Sequence, residues 1–268
     1  MTTGVGAERI WYHTIDLPDG TTTPGWFDTR AAPGPAGLPE WLAGRRCLDV
    51  GTFDGFWAFE MERRGAAEVV ALDLDDPSAL DWSYDERERG PALVRAWGSE
   101  RGPGFVTAAE MLGSAVRRVN CSVYDLRTDV AGRFDLVLCG ALLLHLKDPV
   151  AALERMRDVC DGELLLVEQL DPWLELAAHG VPSARFAVDW DVWWRVNSAG
   201  LVAMTQRAGF DVTWVGRRFL VPPGPGAPPG QRPGRLHSLA ARRPRESGLL
   251  FRALSARPRP PRPDPARS

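Results

Sequence analysis

Apolar residues fall along this chain in short runs of five or six, separated by turn residues and by stretches of helical spacing. Cys47, Leu48 and Val50 mark the first run, and Glu68–Leu72, Arg117–Val123, Phe134–Cys139, Glu163–Val167 and Phe210–Val215 follow. The run FDLVLC at 134–139 is apolar almost throughout, as expected of a strand covered on both faces. Between the runs, Phe56, Phe59 and Met61 sit near helical spacing, and Gly65 stands where a left-handed cap is wanted. Gly104–Ala115, Asp148–Cys160 and Leu201–Ala208 read as further helices, with Pro149 early in its helix, where the missing N–H costs nothing. Leu236–Ala241 reads as a last strand, bringing the count to seven. Strand and helix alternate through the first five strands and the last two form a pair. That order predicts an α/β fold with a parallel sheet, helices on both faces and an antiparallel hairpin at one edge.

The remaining segments set the expected boundaries. Residues 11–30, WYHTIDLPDGTTTPGWFDTR, combine turn dipeptides with Trp11, Tyr12, Trp26 and Phe27. Such apolar density in a turn-rich stretch demands packing, so an ordered arm over the mouth of the sheet is expected. AAPGPAG at 31–37 reads as a linker into a short helix near Leu38–Leu42, making 1–42 an arm and linker that cover the site. The main domain then spans 43–242, with a Trp-rich insertion at 170–200 (Trp173, Trp190, Trp193, Trp194) expected as a lid or pocket wall. Residues 243–268, rich in Arg and Pro, read as a disordered tail.

The stretch RRCLDVGTFDGFWAFEMERRGAAEVVALD, residues 45–73, carries the chemistry. It reads as strand, glycine turn, helix, second strand and acid. Gly51 lets a nucleoside ligand approach the end of the first strand, and Asp73, 22 residues further, stands where an acid accepts both ribose hydroxyls. The turn reads D-x-G-x-x-x-G, not G-x-G-x-x-G, and Asp49 and Asp54 would repel a pyrophosphate. Acids there suit a ligand with a cationic end, which favours S-adenosylmethionine over NAD.

Composition narrows the picture little further. With 44% apolar and 25% charged residues, the 268-residue chain is ordinary for a soluble globular protein. No apolar stretch approaches the roughly 20 residues of a membrane span. No cationic start followed by an apolar run marks a secretory signal, so a cytoplasmic location is expected. Cys47, Cys121, Cys139 and Cys160 lack metal-ligand spacing, and no metal site is expected. Residues 243–268 carry a balance of +5, which leaves −8 on the rest of a chain of net charge −3. An acidic body disfavours tRNA as a partner and leaves a small-molecule acceptor as the better expectation.

The glycine-turn stretch resembles the first motif of the class I S-adenosylmethionine-dependent methyltransferases. With the arm, FDLVLCGALLLHLKDP and WWRVN, it is similar to the subgroup of tRNA wobble-uridine 5-oxyacetic acid (5-carboxymethoxyuridine) enzymes, over roughly residues 11–215. The resemblance implies a Rossmann-like sheet of seven strands with the last reversed. It also implies a carboxylated S-adenosylmethionine, held partly by a lysine and a tyrosine. Here the residue before the family's histidine is Leu144, and Lys147 is the only lysine, which favours ordinary S-adenosylmethionine.

Strand ends then nominate the site. Cofactor contacts are expected from Asp49, Gly51, Thr52, Phe53, Gly55, Asp73, Leu74, Ser122, Val123, Cys139 and Gly140. His145 is the first candidate for a general base and His13, in the arm, the second. Trp11, Tyr12, Glu168, Trp193, Trp194 and Asn197 are expected to contact the acceptor. A small-molecule methyl transfer to a hydroxyl, carboxylate or carbon nucleophile, of the kind found in specialised metabolism, is the leading expectation, with tRNA modification as the alternative.

Overall fold

The computed structural model describes residues 10–96, 102–187, 192–228 and 233–260. Eight strands among them form the central sheet. They are β1 (Arg46–Val50), β2 (Glu68–Asp73), β3 (Arg117–Asn120), β4 (Phe134–Gly140), β5 (Cys160–Gln169), β6 (Phe210–Val215), β7 (Phe219–Val221) and β8 (Leu249–Pro258). The spatial order is β3-β2-β1-β4-β5-β8-β6, with β7 pairing the N-terminal part of β8. β1 to β5 run parallel, and β8 lies antiparallel between β5 and β6. Strand order reverses between β1 and β4, which opens a crevice at their carboxyl ends where α/β sheets bind ligands.

Helices cover both faces. Phe56, Trp57, Phe59 and Met61 of α1 (Phe56–Arg63) pack with Leu136, Leu138 and Leu165 on one face. Two further helices, α2 (Arg89–Ala96) and α3 (Pro103–Leu112), follow β2. Leu153 and Met156 of α4 (Pro149–Val159) and Leu201 of α5 (Ser198–Arg207) fill the other face with Val137, Leu164 and Leu166. Asp148 and Asn197 begin α4 and α5, their side chains accepting from the N–H groups of Ala151 and Gly200 at 2.9 and 2.8 Å. Such caps contribute about 1 kcal/mol each.

The chain's C-terminal part overturns two expectations. Leu236–Ala241 is no strand; Arg235–Ala240 forms helix α6, whose His237 Nδ1 accepts from the N–H of Leu250 at 3.0 Å. The disordered tail expected at 243–268 is likewise wrong over 249–258, which form β8. Leu250, Phe251, Ala253, Leu254 and Ala256 of that strand are buried, whereas Arg252 reaches out to donate to the carbonyl of Gly216 at 2.8 Å. Residues 261–268 of the expected tail lie outside the described residues. The linker reading also shifts: the short helix is Pro33–Ala36, begun by its proline and closed by Gly37, and 38–42 form neither helix nor strand.

The arm is ordered. Trp11–His13 and Gly25–Phe27 pair as two short parallel strands, and Phe27 bridges to Pro223 beyond β7. A Cβ at Gly25 would lie 2.2 Å from the carbonyl carbon of His13, so only glycine permits this pairing. Trp11, Ile15 and Leu17 are buried with the α1 face of the core.

Candidate active site

A cavity of about 190 Å³ opens at the carboxyl ends of β1, β2 and β4. Its floor is the glycine turn. Gly51 has φ +77°, and a Cβ there would lie 3.0 Å from Leu142, so the turn passes close under the wall supplied by β4. Phe53 also takes a left-handed φ of +50°, held by its N–H donating to Asp73 Oδ2 at 2.7 Å. Asp73 Oδ1 accepts from the N–H of Leu74 at 2.7 Å, so this 4%-exposed carboxylate locks the ends of β1 and β2 together.

Of the expected cofactor contacts, Gly51, Phe53, Asp73, Leu74, Ser122, Val123 and Gly140 line the cavity. Asp49, Thr52, Gly55 and Cys139 do not line it. Asp49 Oδ2 accepts from the Thr52 hydroxyl at 2.7 Å, and its Oδ1 is buried with no hydrogen-bond partner. Burial pushes the Asp49 carboxyl up to about 7. Asp54, expected to face a cationic ligand, is committed to the arm instead. Its Oδ2 accepts from the N–H groups of Tyr12 and His13, each at 2.8 Å, and its Oδ1 meets His13 Nδ1.

Both candidate bases line the cavity, His145 from the turn after β4 and His13 from the arm. Tyr12 also lines it, and Trp26 joins from the second arm strand. The other expected acceptor contacts stand elsewhere. Trp11, in the first arm strand, is buried against the α1 face of the core. Glu168 is 1% exposed and accepts from the N–H groups of Leu143 and Gln169 at 2.9 and 3.0 Å, which makes it the brace of the turn carrying His145. Asn197 serves as a cap, also accepting from the N–H of Ser183 at 3.1 Å. Trp193 donates to the carbonyl of Asp81 at 2.6 Å and Trp194 to that of Lys147 at 3.1 Å. The insertion therefore buttresses the wall from behind. None of its described residues lines the cavity, and Trp190 lies outside the described residues.

The wall itself comes from 77–82, a stretch with no periodic pattern. Trp82 is 6% exposed and donates to the carbonyl of Pro77 at 2.6 Å. Asp81 Oδ2 accepts from the Tyr124 hydroxyl at 2.6 Å and the Lys147 N–H at 2.7 Å, tying this wall to the turns after β3 and β4. A carboxylate eight residues after the expected ribose acid, followed by Trp, was the available signal for this wall.

Glu168 and Asp49 have a thermodynamic consequence. Burial pushes the Glu168 carboxyl up to about 8, against the two N–H groups that favour its charge. Both acids hold protons in the folded state that the unfolded chain has released. Their contribution is therefore full below about pH 4 and falls as pH rises towards about 7 and 8. The melting temperature should decline over that window, and Glu168→Gln should flatten the decline measured by calorimetry.

The family model described as "Methyltransferase domain" matches residues 29–215. The chain belongs to the methyltransferase-domain family. Among curated proteins it is similar to the tRNA U34 carboxymethyltransferase of Aeromonas salmonicida, 31% identical over 171 residues, covering 63% of this chain and 45% of that protein. The same-named protein of Pseudomonas aeruginosa (strain LESB58) is 28% identical over 172 residues. The chain thus matches about half the length of these relatives. Among solved structures, Burkholderia thailandensis 1,6-didemethyltoxoflavin-N1-methyltransferase, with its acceptor and S-adenosylhomocysteine bound, shares the fold. It has a TM-score of 0.53 at 18% identity, covering 87% of this chain and 80% of that one. The parallel α/β sheet expected from the strand order and the Rossmann-like methyltransferase architecture implied by the resemblance both agree with this membership. Among the described residues, no helix is long and apolar enough to cross a membrane.

Proposed function

We propose that this S-adenosylmethionine-dependent methyltransferase acts on a small-molecule acceptor and uses ordinary S-adenosylmethionine. One observation carries the reading: the charged carboxylates lining the cavity are Asp73 and Asp81, and no Lys or Arg lines it among the described residues. A carboxylated donor would bring its extra carboxylate into an acidic pocket without a cation, at a cost of several kcal/mol. Leu144 is buried, with its carbonyl accepting from the N–H of Trp193 at 2.7 Å, and Lys147 stacks its ammonium 5.3 Å from the Trp193 ring, away from the lining. An RNA backbone entering here would meet the same sign of charge.

The cofactor fits the residues present. Asp73 would take the ribose hydroxyls, Ser122, Val123 and Leu74 the adenine edge, and the Gly51 turn the amino-acid end. The unpartnered Asp49 Oδ1 behind that turn supports a cationic ammonium nearby. Bound there, S-adenosylmethionine supplies an electrophilic methyl group, while the arm and the His145 turn exclude water and orient the acceptor.

The curated relatives favour a second reading, a tRNA wobble-uridine modifying enzyme. Competition between the two donors decides. Ordinary S-adenosylmethionine should bind at least as tightly as its carboxylated analogue. A tenfold preference for the analogue would return the tRNA reading to first place.

A further inference from the structure

Beside the main cavity lies a second, much smaller one of about 20 Å³, room for a water- or methyl-sized group. Apolar side chains including Phe27, Trp57, Val167 and Phe251 wall it. The two cavities share Tyr12, His13, Gly140 and Ala141, so His13 stands at their junction although it is only 5% exposed. His145 lines the main cavity alone of the two.

His13 is held as a base must be. Its own backbone N–H and that of Tyr12 are tied to Asp54 Oδ2, and its Nδ1 meets Asp54 Oδ1. Its ring stacks on Phe56 with centroids 5.5 Å apart at 26°. Asp54 accepts only, so Nδ1 carries the proton in the neutral ring, and Nε2 is left with the lone pair. Asp54, 1% exposed, then compensates the charge that appears if Nε2 is protonated.

We propose that His13, oriented by Asp54, is the catalytic base, and that the acceptor is a neutral hydroxyl compound of phenol or enol type that delivers its O–H to His13 Nε2. The acceptor oxygen forms the new bond to the methyl carbon as the carbon–sulfur bond breaks. The bonding pair leaves with sulfur as S-adenosylhomocysteine, and the hydroxyl proton ends on Nε2. A carboxylate acceptor, already ionised, would have no use for such a base. Asp54 is a positioning residue here, and His145 borders the cavity without the proton-accepting role. The inference rests on the cofactor reading above and adds to it the class of acceptor and the group that deprotonates it.

The test uses the full-length protein saturated with S-adenosylhomocysteine and 4-nitrophenol as the probe, at a pH where the free probe is mostly protonated. The bound probe is expected to show the phenolate absorption band. His13→Gln should lose at least tenfold of that band while S-adenosylhomocysteine affinity, measured by calorimetry, stays within about twofold. Asp54→Asn keeps an oxygen for the two backbone N–H groups, and it too should lower the bound phenolate fraction. Its unchanged S-adenosylhomocysteine affinity would show that folding is intact. Failure of the probe to bind the wild-type complex, or a phenolate band that survives in His13→Gln, overturns the assignment. A band that instead disappears in His145→Gln and persists in His13→Gln transfers the role to His145. Failure of S-adenosylhomocysteine itself to bind removes the cofactor reading, and this inference with it.

Discussion

Truncation after Arg242 is expected to leave no cooperatively folded protein. The removed segment contains β8, which pairs with β5 over Phe251–Ala256 and with β6 over Leu254–Pro258. Without it, β6 and β7 have no partner in the sheet, and β5 becomes an exposed edge. Leu250, Phe251 and Leu254 also leave the core, where each is at least 94% buried. Burial of such side chains stabilises by about 1.5–3 kcal/mol each. Three of them already approach the whole stability of an ordinary domain, roughly 5–15 kcal/mol, before any ladder hydrogen bond is counted. Soluble yield and the circular-dichroism melting curve of the 1–242 chain measure this. A cooperative transition within a few degrees of the full-length protein would show that β8 is an accessory strand. Phe251→Ala gives the graded version, with an expected loss of about 3–5 kcal/mol.

That strand also shows where sequence pattern stops being informative. β1, β2 and β4 were legible because strands buried on both faces are near-continuous apolar runs. β8 has the same burial, but its run LLFRALSA is interrupted by Arg252 and followed by RPRPPRPDP. Composition averaged over 243–268 hides ten residues of strand inside it. Arg252 fits because β6 ends just before Gly216, whose carbonyl takes the guanidinium, and this partner is 36 residues away. Leu236–Ala241 was ambiguous for a different reason. Six residues mixing Leu, Ala, His and Ser satisfy either period, and only packing decides.

The site divides along the same line. The positions of Gly51 and Asp73 at the cavity were readable because they follow from local backbone geometry within one βαβ unit. Asp54 was misassigned because its partners, the N–H groups of Tyr12 and His13, lie more than 40 residues away in the arm. Glu168, Asn197 and Trp193 look like pocket residues by type and position. Each is consumed by hydrogen bonds that hold loops, and polar residues at element ends serve that use often. The wall at Trp82 offered no periodicity at all, since its segment is fixed by the contacts of Asp81 and Tyr124 rather than by local propensity.

Asp73→Ala should abolish most of the affinity for S-adenosylhomocysteine. Two losses combine. Removing the carboxylate deletes both ribose hydrogen bonds proposed for it, each worth about 1.5–3 kcal/mol to a charged acceptor. It also strips the acceptor from the Phe53 N–H, which holds that residue at φ +50°, so the turn under the ligand loses its fixed shape. An ionised carboxylate offers about four acceptor positions, so the backbone bonds to Phe53 and Leu74 do not exhaust Asp73. Allowing for non-additivity, a total of about 3–4 kcal/mol corresponds to a roughly 100- to 1,000-fold rise in Kd. Asp73→Asn separates the two effects. Its carbonyl oxygen preserves one bond to the backbone while the charge is gone, so its affinity should fall between wild type and alanine. Calorimetry on all three proteins, with melting curves to confirm folding, gives the comparison. Equal affinity of wild type and Asp73→Ala would remove Asp73 from the ribose site. Preferential binding of NADH by the wild type would go further and remove the S-adenosylmethionine reading itself.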